Sequence, residues 1–228
     1  MNENIHKGHR KRIKQKFIDS GFSGFNNHEI LELLLFYSRP RVDTNEIAHR
    51  LINNFGSFSG VCDADLDALK EIEGIDESSA LLLKMIPALT KEYLNSQNKI
   101  THLNTYEKSC TYFINLFVGE KEEKIRAACV NDKLKLVACT VIAEGTPGKV
   151  DINIRKLVEF AYRNKCESII LAHNHPNGDT LPSDNDIKAT SYVYNTLKPV
   201  GITLIDHIII AGNDAISMKD SGAFTLLR

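Results

Sequence analysis

The pattern of apolar and polar positions divides the chain near residue 98. Before that point apolar residues recur at helical spacing in short stretches, separated by Gly21, Gly24, Gly56, Gly60 and Gly74. The pattern predicts helices over residues 29–35 behind an Asn27 cap and over 45–54 behind Asp43 or Thr44. Two more are expected over 64–71 and, capped by Asp76, over 77–85, with Pro87 disturbing the end of the last. The polar run 95–99 (NSQNK) reads as a linker.

Beyond it, strand-like runs alternate with helices. A helix is expected over 106–118, followed by strands over 125–130 and 134–143 that are joined by an Asn131-Asp132-Lys133 turn. Gly145, Thr146, Pro147 and Gly148 make a loop. Ile154, Leu157, Val158 and Ala161 mark a helix over 153–164. A short apolar strand over 168–172, a helix over 183–198, a strand over 202–211 and a last strand near 215–218 complete the series. Such alternation implies a layered α/β domain, with a mixed sheet and flanking helices, over residues 99–228. It is preceded by a small all-α domain over residues 1–98.

Composition narrows the classes without choosing among them. The 228 residues are 43% hydrophobic and 25% charged, with a net charge of −1, so overall charge does not drive the protein onto nucleic acid or anionic lipid. The apolar runs are too short for a membrane span, and no apolar segment follows the basic first residues as in a secretory signal. The five cysteines include no C-x-x-C pair, and read as reduced, mostly buried thiols of a cytoplasmic protein.

The chemistry concentrates in Ala172-His173-Asn174-His175-Pro176-Asn177-Gly178-Asp179-Thr180-Leu181-Pro182-Ser183-Asp184-Asn185-Asp186. His173 and His175, two apart at the end of an apolar strand, share one face. Two convergent imidazoles make half of a zinc site. Ser183 is a good N-cap, and Asp186 lies three residues later, where its carboxylate can face back to the strand end. Two histidines and one carboxylate would leave a fourth tetrahedral position open, as in catalytic zinc sites. Asp179 and Asp184 are alternative ligands by type, but the spacing favours Asp186. His207 reads most simply as a core or edge histidine, and otherwise as a group beside the zinc site. Arg155 reads as an exposed helix residue rather than an anion binder.

His173-x-His175, seven residues, then Ser183-x-x-Asp186 resembles the signature of the JAMM/MPN+ zinc metallopeptidases. Glu144-Gly145-Thr146, Leu171-Ala172-His173-Asn174-His175-Pro176 and Asp206-His207-Ile208-Ile209 further resemble the bacterial RadC family, over most of residues 105–228. The chain departs from that pattern at Asn177, where such proteins more usually carry Ser. The resemblance implies a cytidine-deaminase-like (MPN) fold and Zn²⁺ held by His173, His175 and Asp186. It further implies Glu144 as the general base and Ser183 as donor to the oxyanion. The expected activity is hydrolysis of a peptide or isopeptide amide bond. A metal-dependent nucleic-acid hydrolase and a DNA-repair-associated accessory protein are the competing readings.

Residues 1–16 carry six Lys/Arg against Glu3, whereas residues 17–95 carry six against thirteen Asp/Glu. A basic arm of this kind can touch phosphates, so a weak DNA contact is expected there. Residues 69–80 resemble a helix-hairpin-helix, with Asp76 in place of the second turn glycine. A carboxylate there caps its own helix and repels phosphate, which points to a structural or protein-contact role. The sequence sets neither the oligomeric state, the substrate's identity nor the physiological metal.

Overall fold

A computed structural model of the chain describes residues 8–97, 100–145, 152–176, 178–222 and 224. Asn177 and the loop residues 146–148 lie outside them. The chain forms two compact units, Met1–Thr90 and Lys91–Arg228.

The first unit is helical: α1 (His9–Ser20), α2 (Asn27–Ser38), α3 (Asn45–Phe55), α4 (Phe58–Asp63), α5 (Leu66–Lys70) and the start of α6 (Glu77–Gln97). Leu31, Leu35, Ile47, Leu51, Val61, Leu69 and Leu83 form its core. Each such side chain removed from water contributes roughly 1.5–3 kcal/mol before entropy is counted. The helix expected over 64–71 is α5, and the sequence pattern overlooked α4, whose single turn is too short to show a period. Asn26, rather than Asn27, caps α2, through a capping box with Glu29. The run expected as a linker is helical as far as Gln97, and Pro87 lies inside α6 rather than near its end. The proline costs one backbone hydrogen bond, which the packing of Ala80 and Leu83 against this core offsets.

Two of the basic residues in α1 serve structure. Arg10 donates to the carbonyls of Phe36, Arg39 and Val42, closing the end of α2, and Lys16 pairs with Glu29 at 2.9 Å. Lys11, Arg12 and Lys14 stay exposed. At the start of α6, Asp76 Oδ1 accepts the Ser79 backbone N–H at 2.9 Å and Oδ2 accepts from Arg39 at 2.8 Å. The turn before α6 is therefore filled by its own carboxylate. Hydrogen bonds from Ser79, supported by Arg39, hold that carboxyl down at about 2.

The second unit is a three-layer α/β/α domain. After α7 (Tyr106–Phe117) come β1 (Glu123–Val130), β2 (Leu136–Gly145), α8 (Ile154–Arg163), β3 (Ser168–Asn174), α9 (Asp184–Leu197), a 3₁₀ turn (Lys198–Val200), β4 (Thr203–Ala211) and β5 (Asp214–Ser217). The sheet order is β2-β1-β3-β4-β5, with β3 parallel to β4 and every other pair antiparallel. Asn131 closes the β1–β2 turn by accepting from the N–H groups of Lys133 and Lys135.

Side-chain alternation gives each sheet face its own core. Ile125, Ala127, Cys129, Ile169 and Leu171 pack with Leu157 and Ala161 of α8 and Val193 and Leu197 of α9. Ala128, Val130, Ile170, Ala172, Ile208 and Ile210 pack with Phe113 and Phe117 of α7. In β4 the register slips by one residue between its pairings with Ile169 and Ile170. Leu204 faces α8 and α9 before the slip, while Ile208 and Ile210 face α7 after it. The slip thereby turns His207, paired with Leu171, toward the α9 layer.

Asp76→Ala should lower stability by about 1 kcal/mol, the usual cost of an N-cap lost to alanine. A urea denaturation series checks this, and an unchanged midpoint would show that the carboxylate does not hold the start of α6.

Candidate metal centre

β3 ends at a point where four elements converge. Its buried interior leaves His173 only 1% exposed, on the face shared with Leu171 and α9. The ladder continues past the strand, because the His175 N–H donates to the Ile210 carbonyl at 2.7 Å. His175 thus lies two extended residues beyond His173 and points the same way. Its Nδ1 lies 2.6 Å from the Asp179 carbonyl, and the Gly178 N–H closes the turn onto the His175 carbonyl at 3.3 Å. A side chain at Gly178 would begin 3.2 Å from the His175 Cβ, so the tight turn favours glycine.

The chain then returns as α9 through a capping box. Ser183 Oγ accepts from the Asp186 N–H at 3.2 Å, and the Ser183 N–H donates back to Asp186 Oδ2 at 2.8 Å. The Ser183 hydroxyl also donates to Oδ2 at 2.6 Å. Fixed in this way, Asp186 places Oδ1 3.1 Å from His173 Nε2 and Oδ2 3.6 Å from His175 Nε2. The two Nε2 atoms are 2.9 Å apart.

The electrostatics of this group favour a cation. Neutral His175, donating from Nδ1 to a carbonyl, presents a lone pair at Nε2. Burial alone would raise the Asp186 pKa, but His173 and His175 beside its carboxylate, with the Ser183 hydroxyl, hold it well below the usual carboxylate range. The nearby Asp186 carboxylate raises the His175 pKa against the effect of burial. In the metal-free protein, then, the carboxylate favours a proton on His175. One donor atom each from His173, His175 and Asp186 lie within 4.8 Å of one another, a set that could hold a metal ion. Two imidazole nitrogens and one carboxylate oxygen suit Zn²⁺ with a fourth position left open.

His173, His175, Ser183 and Asp186 are therefore brought together as their spacing suggests. Asp179 contributes its carbonyl to His175, while its carboxylate holds the Leu181 N–H. Asp184 is exposed, and Arg155 pairs with Glu159 on the open face of α8.

Glu144 does not join them. It pairs across the ladder with Lys124, whose ammonium lies 3.6 Å from the Glu144 carboxylate and 2.8 Å from that of Glu120. Lys124 and Arg126 both reach Glu120, on the face of β1 opposite Ile125 and His173. The carboxylate on the metal-facing side is Glu123, two residues before Ile125, 6% exposed and near enough for its charge to raise the His175 pKa. Its signal in the sequence is the alternation Glu123, Ile125, Ala127, Cys129, in which an acid occupies a core-facing position. His207, read most simply as a core histidine, lies with Nε2 2.8 Å from His173 Nδ1. Burial, followed by the neighbouring His173, holds its pKa well below the ordinary value and keeps it neutral.

Bound metal must displace the proton that His175 shares with Asp186. The stabilisation from that protonated pair is fully present below 6.5, the ordinary histidine value, and is lost as pH rises through the raised folded value. Metal binding strengthens over the same interval. The difference in melting temperature between zinc-loaded and EDTA-treated protein should therefore widen as pH rises through it. Differential scanning fluorimetry across that range checks this, and a constant difference would contradict His175 as a ligand.

The model of the family described as "RadC-like JAB domain" matches residues 103–223. The UPF0758 protein FN0909 of Fusobacterium nucleatum subsp. nucleatum is 34% identical over 230 residues, covering 97% of this chain and 99% of its own length. JAB domains typically bind zinc, in keeping with the His-His-Asp group. With the match spanning α7 to β5 and the relative spanning both units, the chain belongs to the bacterial RadC family, whose JAB domain suggests a JAMM-type metal-dependent hydrolase family.

Proposed function

We propose that this protein is a zinc-dependent hydrolase that cleaves a peptide or isopeptide amide bond. The observation that carries the reading is the convergence of His173 Nε2, His175 Nε2 and one Asp186 oxygen at the end of β3. Zinc held there would polarise a substrate carbonyl and lower the pKa of a water toward neutrality. Glu123, on the same sheet face, takes the proton of the attacking water at a carboxylate oxygen and delivers it to the leaving nitrogen. Ser183, exposed at the start of α9, turns its hydroxyl hydrogen from Asp186 Oδ2 to the developing oxyanion, a role worth about 3 kcal/mol.

The charge of the site favours an amide over a phosphodiester. Asp186 and Glu123 are both acids, and among the described residues no Lys or Arg side chain pairs with a candidate ligand. A phosphoryl group in transfer needs cations beyond the metal to balance its charge, whereas a carbonyl does not.

Glu123→Gln and Glu144→Gln separate the two carboxylates. Both variants should retain zinc. On a library of internally quenched peptides and lysine-linked isopeptides, Glu123→Gln should lose roughly 10²–10⁴-fold in turnover, the usual share of a general base. Glu144→Gln should stay within a few-fold of the unaltered protein. The opposite pattern would return the base to Glu144.

A further inference from the structure

A chain of buried hydrogen bonds runs from the backbone of α9 to the first histidine. Thr190 Oγ1 lies 2.6 Å from the Asp186 carbonyl one turn earlier and 2.6 Å from His207 Nδ1. His207 Nε2 lies 2.8 Å from His173 Nδ1, and His173 Nε2 faces the ligand group. Thr190, His207 and His173 are each at most 1% exposed, so every proton along this line must find its acceptor within the protein.

One assignment satisfies all of them while leaving His173 Nε2 bare for a metal. The Thr190 hydroxyl then points its single hydrogen away from His207, at the Asp186 carbonyl 2.6 Å away or at Met218 Sδ 3.4 Å away, both of which can only accept. Its oxygen then accepts from His207 Nδ1–H. With its proton on Nδ1, His207 offers a lone pair at Nε2, and His173 donates Nδ1–H to it. His173 Nε2 is left bare, as a metal ligand must be. Metal-binding histidines commonly donate their second N–H to a carboxylate or a carbonyl; here the acceptor is another imidazole, whose own tautomer is set by a threonine.

The backbone around His207 is held from both sides. Asp206 Oδ1 accepts the His207 N–H at 2.7 Å and the Lys219 N–H at 3.1 Å, and Oδ2 accepts from Ser217 Oγ at 2.6 Å. The Met218 N–H donates to the His207 carbonyl at 2.9 Å. These bonds fix the register slip that turns His207 toward α9.

We propose that Thr190 and His207 are positioning residues that set the tautomer of His173 and so make its Nε2 available to metal. The proposal rests on the reading of His173, His175 and Asp186 as metal ligands. Thr190→Val keeps the side-chain volume but leaves His207 Nδ1–H without an oxygen acceptor. His207 then favours the proton on Nε2, donates it to His173 Nδ1 and drives the His173 proton onto Nε2, against the metal.

Zinc affinity is measured by competition with a chromophoric chelator, alongside ¹⁵N imidazole shifts of the metal-free protein at alkaline pH. Thr190→Val should weaken zinc binding roughly 10–100-fold, the usual effect of removing such a partner. Thr190→Ser should restore it, and His207→Gln, whose amide oxygen can replace Nε2 as acceptor, should fall between. In the unaltered protein both His173 and His207 should carry their protons on Nδ1. Wild-type affinity in Thr190→Val, equal weakening by valine and serine, or a proton on Nε2 of either histidine would each overturn the proposal. The last result needs no variant and stands even if Thr190→Val fails to fold. An unaltered protein that binds no zinc would instead overturn the metal reading, and this proposal with it.

Discussion

Two imidazole nitrogens 2.9 Å apart beside a carboxylate form the arrangement on which the second unit depends. Unmetallated and neutral, such lone pairs repel, and a carboxylate among them adds a negative charge in a partly desolvated place. A fold that builds this cluster must hold it from several directions. β3 supplies one histidine from a buried strand, the ladder to β4 extends that strand to the second, and the capping box of α9 turns Asp186 back onto both. The capping box therefore has two effects: it satisfies backbone donors at the start of α9 and aims a ligand oxygen.

The surroundings are consistent with metal chemistry rather than thiol chemistry. All five cysteines are free. Burial pushes Cys62 and Cys110 up to about 11 and raises Cys139 and Cys129 as well, so none of these four is an activated nucleophile. Among the described residues, no helix is long and apolar enough to cross a membrane. The helical unit has its own core, and the start of its α6 is capped by Asp76.

The grouping of His173, His175 and Asp186 was legible because their positions follow from local rules. Strand alternation places His173 and His175 on one face, and a helix cap followed by a carboxylate at the third position fixes Asp186. Which carboxylate shares the face of His173 was not legible in this way. Glu144 stands beside a glycine-rich loop and invites the role, but strand pairing puts it beside Lys124. Glu123 is marked out only once β1 is known to pair with β3, a long-range fact absent from local pattern. For His207, read as a core or edge histidine or as a group beside the site, the one-residue slip in β4 reverses the face that alternation counted from Leu204 would assign. Pro87 and α4 eluded the pattern for simpler reasons. Packing carried one helix through a proline, and a single turn is too short to register as a period.

The most direct measurement is metal content per chain, by elemental mass spectrometry, on untagged protein purified beside His173→Ala. The account predicts about one zinc per chain in the unaltered protein and almost none in the variant. Unaltered protein that remains free of zinc after reconstitution, or a variant that holds as much as its parent, would contradict the metal centre at the end of β3.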